Sequence, residues 1–248
     1  MFTYKKSLNK ENIKKNKKKI ISNSGICSRR EIIRINNSKN GINLKNNNLT
    51  LFGNSKKNIL NKRIPRIILY NKPRGEVVSH KDPNKRKNIF SKLPNLKIGK
   101  WLFVGRLDVN TEGLNIFCNS GKFCNAINHP SCKIEREYFV KILGDKINRY
   151  ERKILINKYK ISKKIFQLKK IKCICEKKNN CWYSITVNKG RKREIKKTFE
   201  LIGLTVARLV RIRLFDIYLP FYLKEGGWLE INSKLAYTIM IKLGLVLY

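Results

Sequence analysis

One stretch of the chain sets an acidic side chain where a reaction could be built: Asp108, in Val104-Gly105-Arg106-Leu107-Asp108-Val109-Asn110-Thr111-Glu112-Gly113-Leu114. Acids are scarce here. The chain holds 57 basic residues against 16 acidic ones, and its aspartates are Asp82, Asp108, Asp145 and Asp216. Arg106 two positions away, together with the N–H groups of a turn, can keep such a carboxylate ionised. An ionised carboxylate is what nucleophilic attack requires. The same spacing also suits a plainer role, an Asx-type hydrogen bond that ties the loop together, and spacing alone leaves both open.

The elements that must hold Asp108 are legible around it. Residues 101–104 and 114–118 are short apolar runs punctuated by Gly105, Gly113 and the turn Asn119-Ser120-Gly121, which predicts a strand entering the loop and a strand leaving it. Upstream, residues 67–70 read as a strand that stops at Asn71-Lys72-Pro73-Arg74-Gly75. Downstream, residues 122–128 read as a helix broken by Pro130, residues 135–142 as an alternating strand and residues 148–158 as a helix. Residues 182–187 read as a further strand. Ile195, Phe199 and Ile202 lie at helical spacing on one face, with Gly203 as the stop. Residues 204–213 form a strand pattern in which Arg211 and Arg213 share one face, opposite Val210 and Ile212. A last helix runs from 233 to 243.

The first 60 residues differ in character. Lysine and asparagine dominate to about residue 20, and Ser28-Arg29-Arg30-Glu31 then has the spacing of a capping box opening a second helix after Gly25. Residues 40–44 and 49–51 read as small strands around an Asn-rich turn, and residues 54–65 as a linker.

Composition narrows the class. A hydrophobic share of 42% allows a real core, and a net charge of +41 calls for a polyanionic partner, of which a phosphate backbone fits best. Part of the lysine and asparagine excess follows the drift of an AT-rich genome. No apolar run approaches the roughly 20 residues that span a bilayer, and the basic start lacks the apolar stretch of a signal peptide, so an intracellular, cytoplasmic protein without membrane contact is expected. Seven cysteines, an odd number, argue against a disulfide framework. Cys173, Cys175 and Cys181 lack zinc spacing and the chain's histidines are His80 and His129, so no metal site is expected. Neither a Gly-x-Gly-x-x-Gly loop nor a Walker-type sequence occurs, and no cofactor is expected.

Gly-Arg-Leu-Asp followed by Thr-Glu-Gly-Leu resembles the catalytic motif of the pseudouridine synthases that act on ribosomal RNA, in which the aspartate is the indispensable residue. The resemblance extends along most of the chain. Asn71-Lys72-Pro73-Arg74-Gly75, with Ser79 after it, is similar to the family's Asn-Lys-Pro-x-Gly segment, and it implies Lys72 and Arg74 as phosphate contacts. Tyr138 lies where the family places a tyrosine that stacks on the target base. Residues 190–199 resemble the third motif, which implies Lys196 as the cation beside Asp108; as a plain surface lysine, Lys196 would pair with Glu200 one turn on. Residues 24–31 resemble the start of the S4 domain, an RNA-binding module, which implies RNA contacts for Arg29 and Arg30. Its hairpin is blurred here to Gly41-Ile42-Asn43-Leu44-Lys45-Asn46-Asn47-Asn48, without the usual turn glycine.

What the resemblance implies is an α+β chain: an S4-like α/β module over residues 1–60, then a synthase domain over 61–248 with a mainly antiparallel mixed sheet flanked by helices. The implied reaction isomerises a uridine of ribosomal RNA. It needs no cofactor and no metal, and a monomer is expected to carry it out. Asp108 is expected at the floor of an electropositive groove wide enough for an everted nucleotide, with Tyr138 and Lys196 close by, Lys196 and Arg106 keeping it ionised and Arg106 contacting phosphate. Arg193-Glu194-Ile195 resembles the branch that modifies large-subunit RNA, since the small-subunit branch carries His-Gln at the first two positions. The alternatives are a non-catalytic S4 protein of ribosome assembly, or a synthase acting on small-subunit ribosomal RNA or on transfer RNA.

Overall fold

The computed structural model describes residues 64–246, apart from 80–87, 98, 158, 162–163, 178–179, 189 and 192, and before them the backbone of three short strands. These are β1 (Asn43–Lys45), β2 (Asn48–Leu51) and β3 (Asn54–Lys56), which pair as an antiparallel three-stranded sheet in the order β1-β2-β3. Lys45 pairs with Asn48, as the hairpin reading requires. The third strand corrects the reading of residues 54–65 as a linker. Asn54, Ser55 and Lys56 carry no apolar alternation, and it is the backbone ladder to β2, Leu49 opposite Lys56, that makes them a strand. The expected helix that carries Arg29 and Arg30 lies outside the described residues, as does His80.

The main sheet is built outward from the most apolar segment. β6 (Glu112–Cys118) is buried along its whole length. On one side it pairs antiparallel with β4 (Ile67–Lys72), and the short β5 (Leu102–Val104) also joins it, with Val104 opposite Ile116. On its other side lies β12 (Thr205–Leu214), the one parallel partner among the described strands, through Val210 opposite Glu112 and Arg211 opposite Gly113. Beyond β12 come β7 (Arg136–Leu143), β11 (Asn180–Val187) and β10 (Lys170–Lys177), all antiparallel. β13 (Ile217–Tyr218) pairs with β12, and β14 (Trp228–Glu230) closes the edge against β4. A separate two-stranded ribbon joins β8 (Tyr159–Ile161) to β9 (Lys164–Phe166). The sheet is thus mixed and mainly antiparallel, as expected.

Four α-helices flank it among the described residues: α1 (Gly121–Asn128), α2 (Arg149–Ile156), α3 (Glu194–Glu200) and α4 (Ser233–Lys242). Three of the four starts have a side-chain cap. Ser120 and Asn232 accept backbone N–H groups at the first turns of α1 and α4, and Asn148 with Glu151 forms a full capping box on α2. Alternation along β4 and β6 gives the sheet two apolar faces. Ile67, Leu69, Leu114 and Ile116 pack with α1 and α4, while Ile68, Tyr70 and Phe117 pack with Ile89 and Trp101 on the other side. A third cluster joins Tyr138 and Val140 of β7 to Leu155 of α2 and to Ile195 and Phe199 of α3. No helix among the described residues is long and apolar enough to cross a membrane.

One expectation about β12 fails. Its register against β7 shifts between Arg211 and Arg213: Arg211 lies opposite Tyr138, but Arg213 lies opposite Glu137. Adjacent residues of a strand face opposite ways, so the bulge sends Arg211 and Arg213 to different faces of the sheet. Arg213 forms ion pairs with Glu137 at 2.9 Å and Glu135 at 3.1 Å, whereas Arg211 is buried.

Candidate active site

The loop between β5 and β6 alternates inward and outward. Leu107 is buried in the cluster that holds Tyr138 and Ile195, while Arg106 and Asp108 on either side of it are exposed. Burying a leucine contributes roughly 1.5–3 kcal/mol, which pins the loop at its middle. After Asp108 the chain turns, Thr111 N donating to Asp108 O at 3.0 Å. The neighbouring turn holds the far side, with Gly75 N donating to Val109 O at 2.9 Å.

Beneath the turn sits Lys72, with no exposed surface. Its Nζ donates to Pro73 O at 2.9 Å, Val109 O at 3.1 Å and Thr111 O at 2.9 Å. This corrects the expectation that Lys72 contacts phosphate. The ammonium is spent on carbonyls of the Asp108 loop and is closed off from solvent. Arg74, by contrast, is exposed on the adjoining turn and lies outside the cleft described next.

Asp108 opens onto a cleft of about 630 Å³, within the range of roughly 300–1,000 Å³ usual for ligand sites. β7 contributes Tyr138, 8% exposed, and β12 contributes Leu209 and Arg211; these buried side chains make the floor. α3 and the turn before it contribute Lys196, Glu194, Arg191 and Arg193. The helix is oriented by Ile195 and Phe199, both buried, so that half-buried Lys196 faces the cleft one position on from Ile195. Ser79 completes the opposite wall with Val77 and Val78.

The structure therefore brings together Asp108, Arg106, Tyr138 and Lys196, which lie far apart in the sequence. It also corrects how they meet. Asp108 is exposed on the cleft wall, not sunk in its floor, and among the described residues it forms no ion pair with Lys196 or Arg106. Those two cations share the cleft with it instead of gripping it. Lys196 does not pair with Glu200 either, because Arg193 takes that carboxylate at 3.2 Å. The charge balance of the lining is lopsided: Arg106, Arg136, Arg191, Arg193, Lys196 and Arg211 stand against Asp108 and Glu194. Such a wall of cations around a buried floor of Tyr138, Leu209 and Arg211 suits a nucleotide, phosphates at the rim and base inside.

Residues 66–201 match the family model described as RNA pseudouridylate synthase. The chain is 40% identical over 232 residues, 87% of its length, to the ribosomal large subunit pseudouridine synthase B of Buchnera aphidicola subsp. Acyrthosiphon pisum, covering 92% of that protein. The chain belongs to the RNA pseudouridylate synthase family. The protein of the same name from Escherichia coli K12 is 38% identical over 170 residues, 68% of this chain and 58% of that one. Among solved structures, a crystal structure of a pseudouridylate synthase superposes with a TM-score of 0.63 over 89% of this chain and 97% of the other, at 21% identity, which shows a common fold.

In this synthase, two arginines of the cleft are placed there only by the structure: Arg136, which the sequence did not single out, and Arg211, which the sequence set on a strand beside Arg213 with its role open. Arg136 is buried at the start of β7, its Nη1 donating to Ile134 O at 2.7 Å, and Gly190 packs so close that an added Cβ would sit 3.0 Å from its Nε. Arg211 is buried between β6 and β7. Each looks like one more basic residue in a basic chain, and only strand pairing turns them inward.

Lys72 supplies a pH signature. Burial pushes its amine down to about 8 from the ordinary 10.5, against the opposing pull of Glu76, Glu112 and Asp108. Three acceptors around Nζ match the three protons of an ammonium, so it is charged at neutrality. As pH rises through about 8 the amine loses one proton and one of those hydrogen bonds, and turnover should fall with that midpoint. Stability should move the other way. Between about 8 and 10.5 the folded chain binds fewer protons than the unfolded chain, so this group makes unfolding less favourable as pH rises. Profiles of kcat/KM and of urea midpoint against pH test both. An alkaline limb with the same midpoint in Lys72→Arg would assign it to another group.

Proposed function

We propose that this chain isomerises a specific uridine of large-subunit ribosomal RNA to pseudouridine. The observation that carries the reading is the single cleft that gathers Asp108, Tyr138 and Lys196, ringed by arginines. The relatives named above are large-subunit synthases over most of the chain, and Arg193-Glu194-Ile195 agrees with that branch. The reaction breaks the C1′–N1 bond and makes C1′–C5, with no net redox change. The uracil leaves its stack and enters the cleft, where the Tyr138 ring can stack on it, worth roughly 1–3 kcal/mol per base. Asp108 acts at the ribose, by attack on C1′ or by removal of a sugar proton.

The cations have divided duties. Lys196, in the same cleft, supplies positive charge to the site of Asp108, an attraction that strengthens once RNA excludes water and lowers the local dielectric. Arg106 and Arg74, both exposed, take phosphates at the rim. Residues 1–60, read as an S4-like module with Arg29 and Arg30, extend the contact along structured RNA, and residues 61–248 do the chemistry in the cytoplasm as a single copy. Neither cofactor nor metal enters this scheme.

Purified protein incubated with protein-free large-subunit RNA, small-subunit RNA or transfer RNA, followed by pseudouridine mapping, tests the assignment. New pseudouridine is expected at one or a few positions of the large-subunit RNA. Modification confined to either of the other RNAs would move the substrate, and none anywhere would leave an RNA-binding protein of ribosome assembly.

A further inference from the structure

Arg211 is the most deeply buried arginine described, 1% exposed, and it has no carboxylate within ion-pair distance among the described residues. Three less buried arginines on or beside the sheet do have one. Arg213 meets Glu135 and Glu137, Arg208 meets Glu112 at 2.6 Å, and Arg66 meets Glu230 at 2.7 Å. A buried charge without a partner costs several kcal/mol. A brace between strands does not need that cost, since a neutral donor would serve. Arg136, likewise buried on carbonyls alone, lines the same cleft, so both uncompensated guanidiniums border the one space that is to receive an anionic ligand.

The geometry around Arg211 leaves one edge for a ligand. Nε donates to Leu114 O at 2.7 Å and Nη2 to Asn115 Oδ1 at 3.1 Å. Nη1 faces Gly105, itself part of the cleft wall: a Cβ there would come within 3.4 Å of it, and a φ of +71° reserves the position for glycine. Asn115 Nδ2, beside the guanidinium, is buried with no hydrogen-bond partner. The Tyr138 hydroxyl and Asn128 Oδ1, which lies 3.7 Å from the same added Cβ, are the neutral acceptors at this edge, and no anion stands there. Across the ladder, the residue directly opposite Arg211 is Tyr138, the ring expected to lie on the base.

We infer that Arg211 is a second catalytic group, whose guanidinium donates to a carbonyl oxygen of the everted uracil and stabilises the anion formed when the base leaves the ribose. The inference rests on the isomerase reading above. When C1′–N1 breaks, the electron pair stays on N1, and the charge spreads over N1, O2 and O4. When C5 then bonds to C1′, the C5 proton departs and N1 gains one, so atoms and charge balance without any outside reagent. A fixed cation in a water-poor floor acts most strongly on charge that appears only in the transition state. Lys196 shares the cleft with Asp108 and is assigned to that carboxylate, whereas Arg211 serves the leaving group.

Single-turnover rates on a target RNA carrying uridine or 5-fluorouridine at the modified position test this. The fluorine withdraws electrons and stabilises the uracil anion, so it should replace part of what the arginine supplies. Arg211→Lys and Arg211→Met are each expected to bind the RNA within about two-fold of the native protein and to consume the uridine substrate about 10²-fold more slowly. On 5-fluorouridine the loss should shrink at least about ten-fold. Equal losses on both substrates would show a positioning role only, and no loss would remove the proposal. If Arg211→Met does not fold, which its melting curve will show, Arg211→Lys decides alone by the same ratio. Failure of the isomerase reading would look different: the native protein would convert neither RNA.

Discussion

Asp108→Asn is expected to bind its RNA with unchanged affinity and to form no measurable pseudouridine. The substitution keeps size and removes charge. The Asp108 side chain is exposed and has no ion pair among the described residues, and the turn it opens is held by backbone atoms, Thr111 N to Asp108 O. The fold should therefore register the change within about 0.5 kcal/mol, as at ordinary surface sites. An amide neither attacks C1′ nor takes a sugar proton. Loss of such a group typically costs about 10⁴-fold or more, equivalent to at least about 5 kcal/mol of transition-state stabilisation. Filter binding paired with pseudouridine mapping separates the two quantities. Residual activity within about ten-fold of native would rule out the role given to Asp108, and loss of binding would recast it as a structural residue of the loop.

Gly113→Ala is expected to cost the most stability of the alanine substitutions at the glycines in the sheet and cleft described above. Gly113 has a φ of +93°, and a Cβ there would lie 2.3 Å from Arg211 O, 2.9 Å from Arg211 N and 2.8 Å from a Val210 methyl carbon. Two of these are backbone atoms of β12, so no side chain can rotate away. The contact is also the seam of the sheet. β6 and β12 touch through Val210 opposite Glu112 and Arg211 opposite Gly113, and this pair joins the strands that carry the Asp108 loop to those that carry Tyr138. Prying it apart should cost more than about 4 kcal/mol, the range reserved for backbone strain and broken cores. The urea midpoint should fall steeply or the protein should not accumulate in soluble form. A loss below about 1 kcal/mol would mean that the seam is not tightly closed in solution.

The two residues explain why the segment from 105 to 114 reads so clearly. Its glycines and leucine mark the turns and the anchor of the loop, and its aspartate stands within the motif that carries the family resemblance. Alternation within 136–142 and the helical spacing of Ile195 and Phe199 are equally local, and that strand and that helix came out where the pattern put them, whereas β8, β9 and β10 lie in a basic segment whose pattern announced no strand. Local rules failed where a partner strand supplied the reason. β3 is polar and exists because β2 offers it a ladder. Arg211 and Arg213 look equivalent until the bulge opposite Tyr138 and Glu137 turns them apart. Lys72 looks like a lysine for phosphate until β4 ends beneath the Asp108 loop and three carbonyls close around its ammonium.

From its order of residues alone, this chain had declared a polyanion as partner and the positions of many of its strands and helices, because charge and periodicity are properties of short segments; the mixed sheet and the reacting carboxylate were implied by a family resemblance carried by the motifs. Which cations reach the carboxylate's cleft, which are sealed beneath it and which pair off elsewhere depended on strands separated by about a hundred residues. Burial and counter-ions are created by that pairing, so in a protein with 57 basic residues only the assembled sheet could sort the functional ones from the rest.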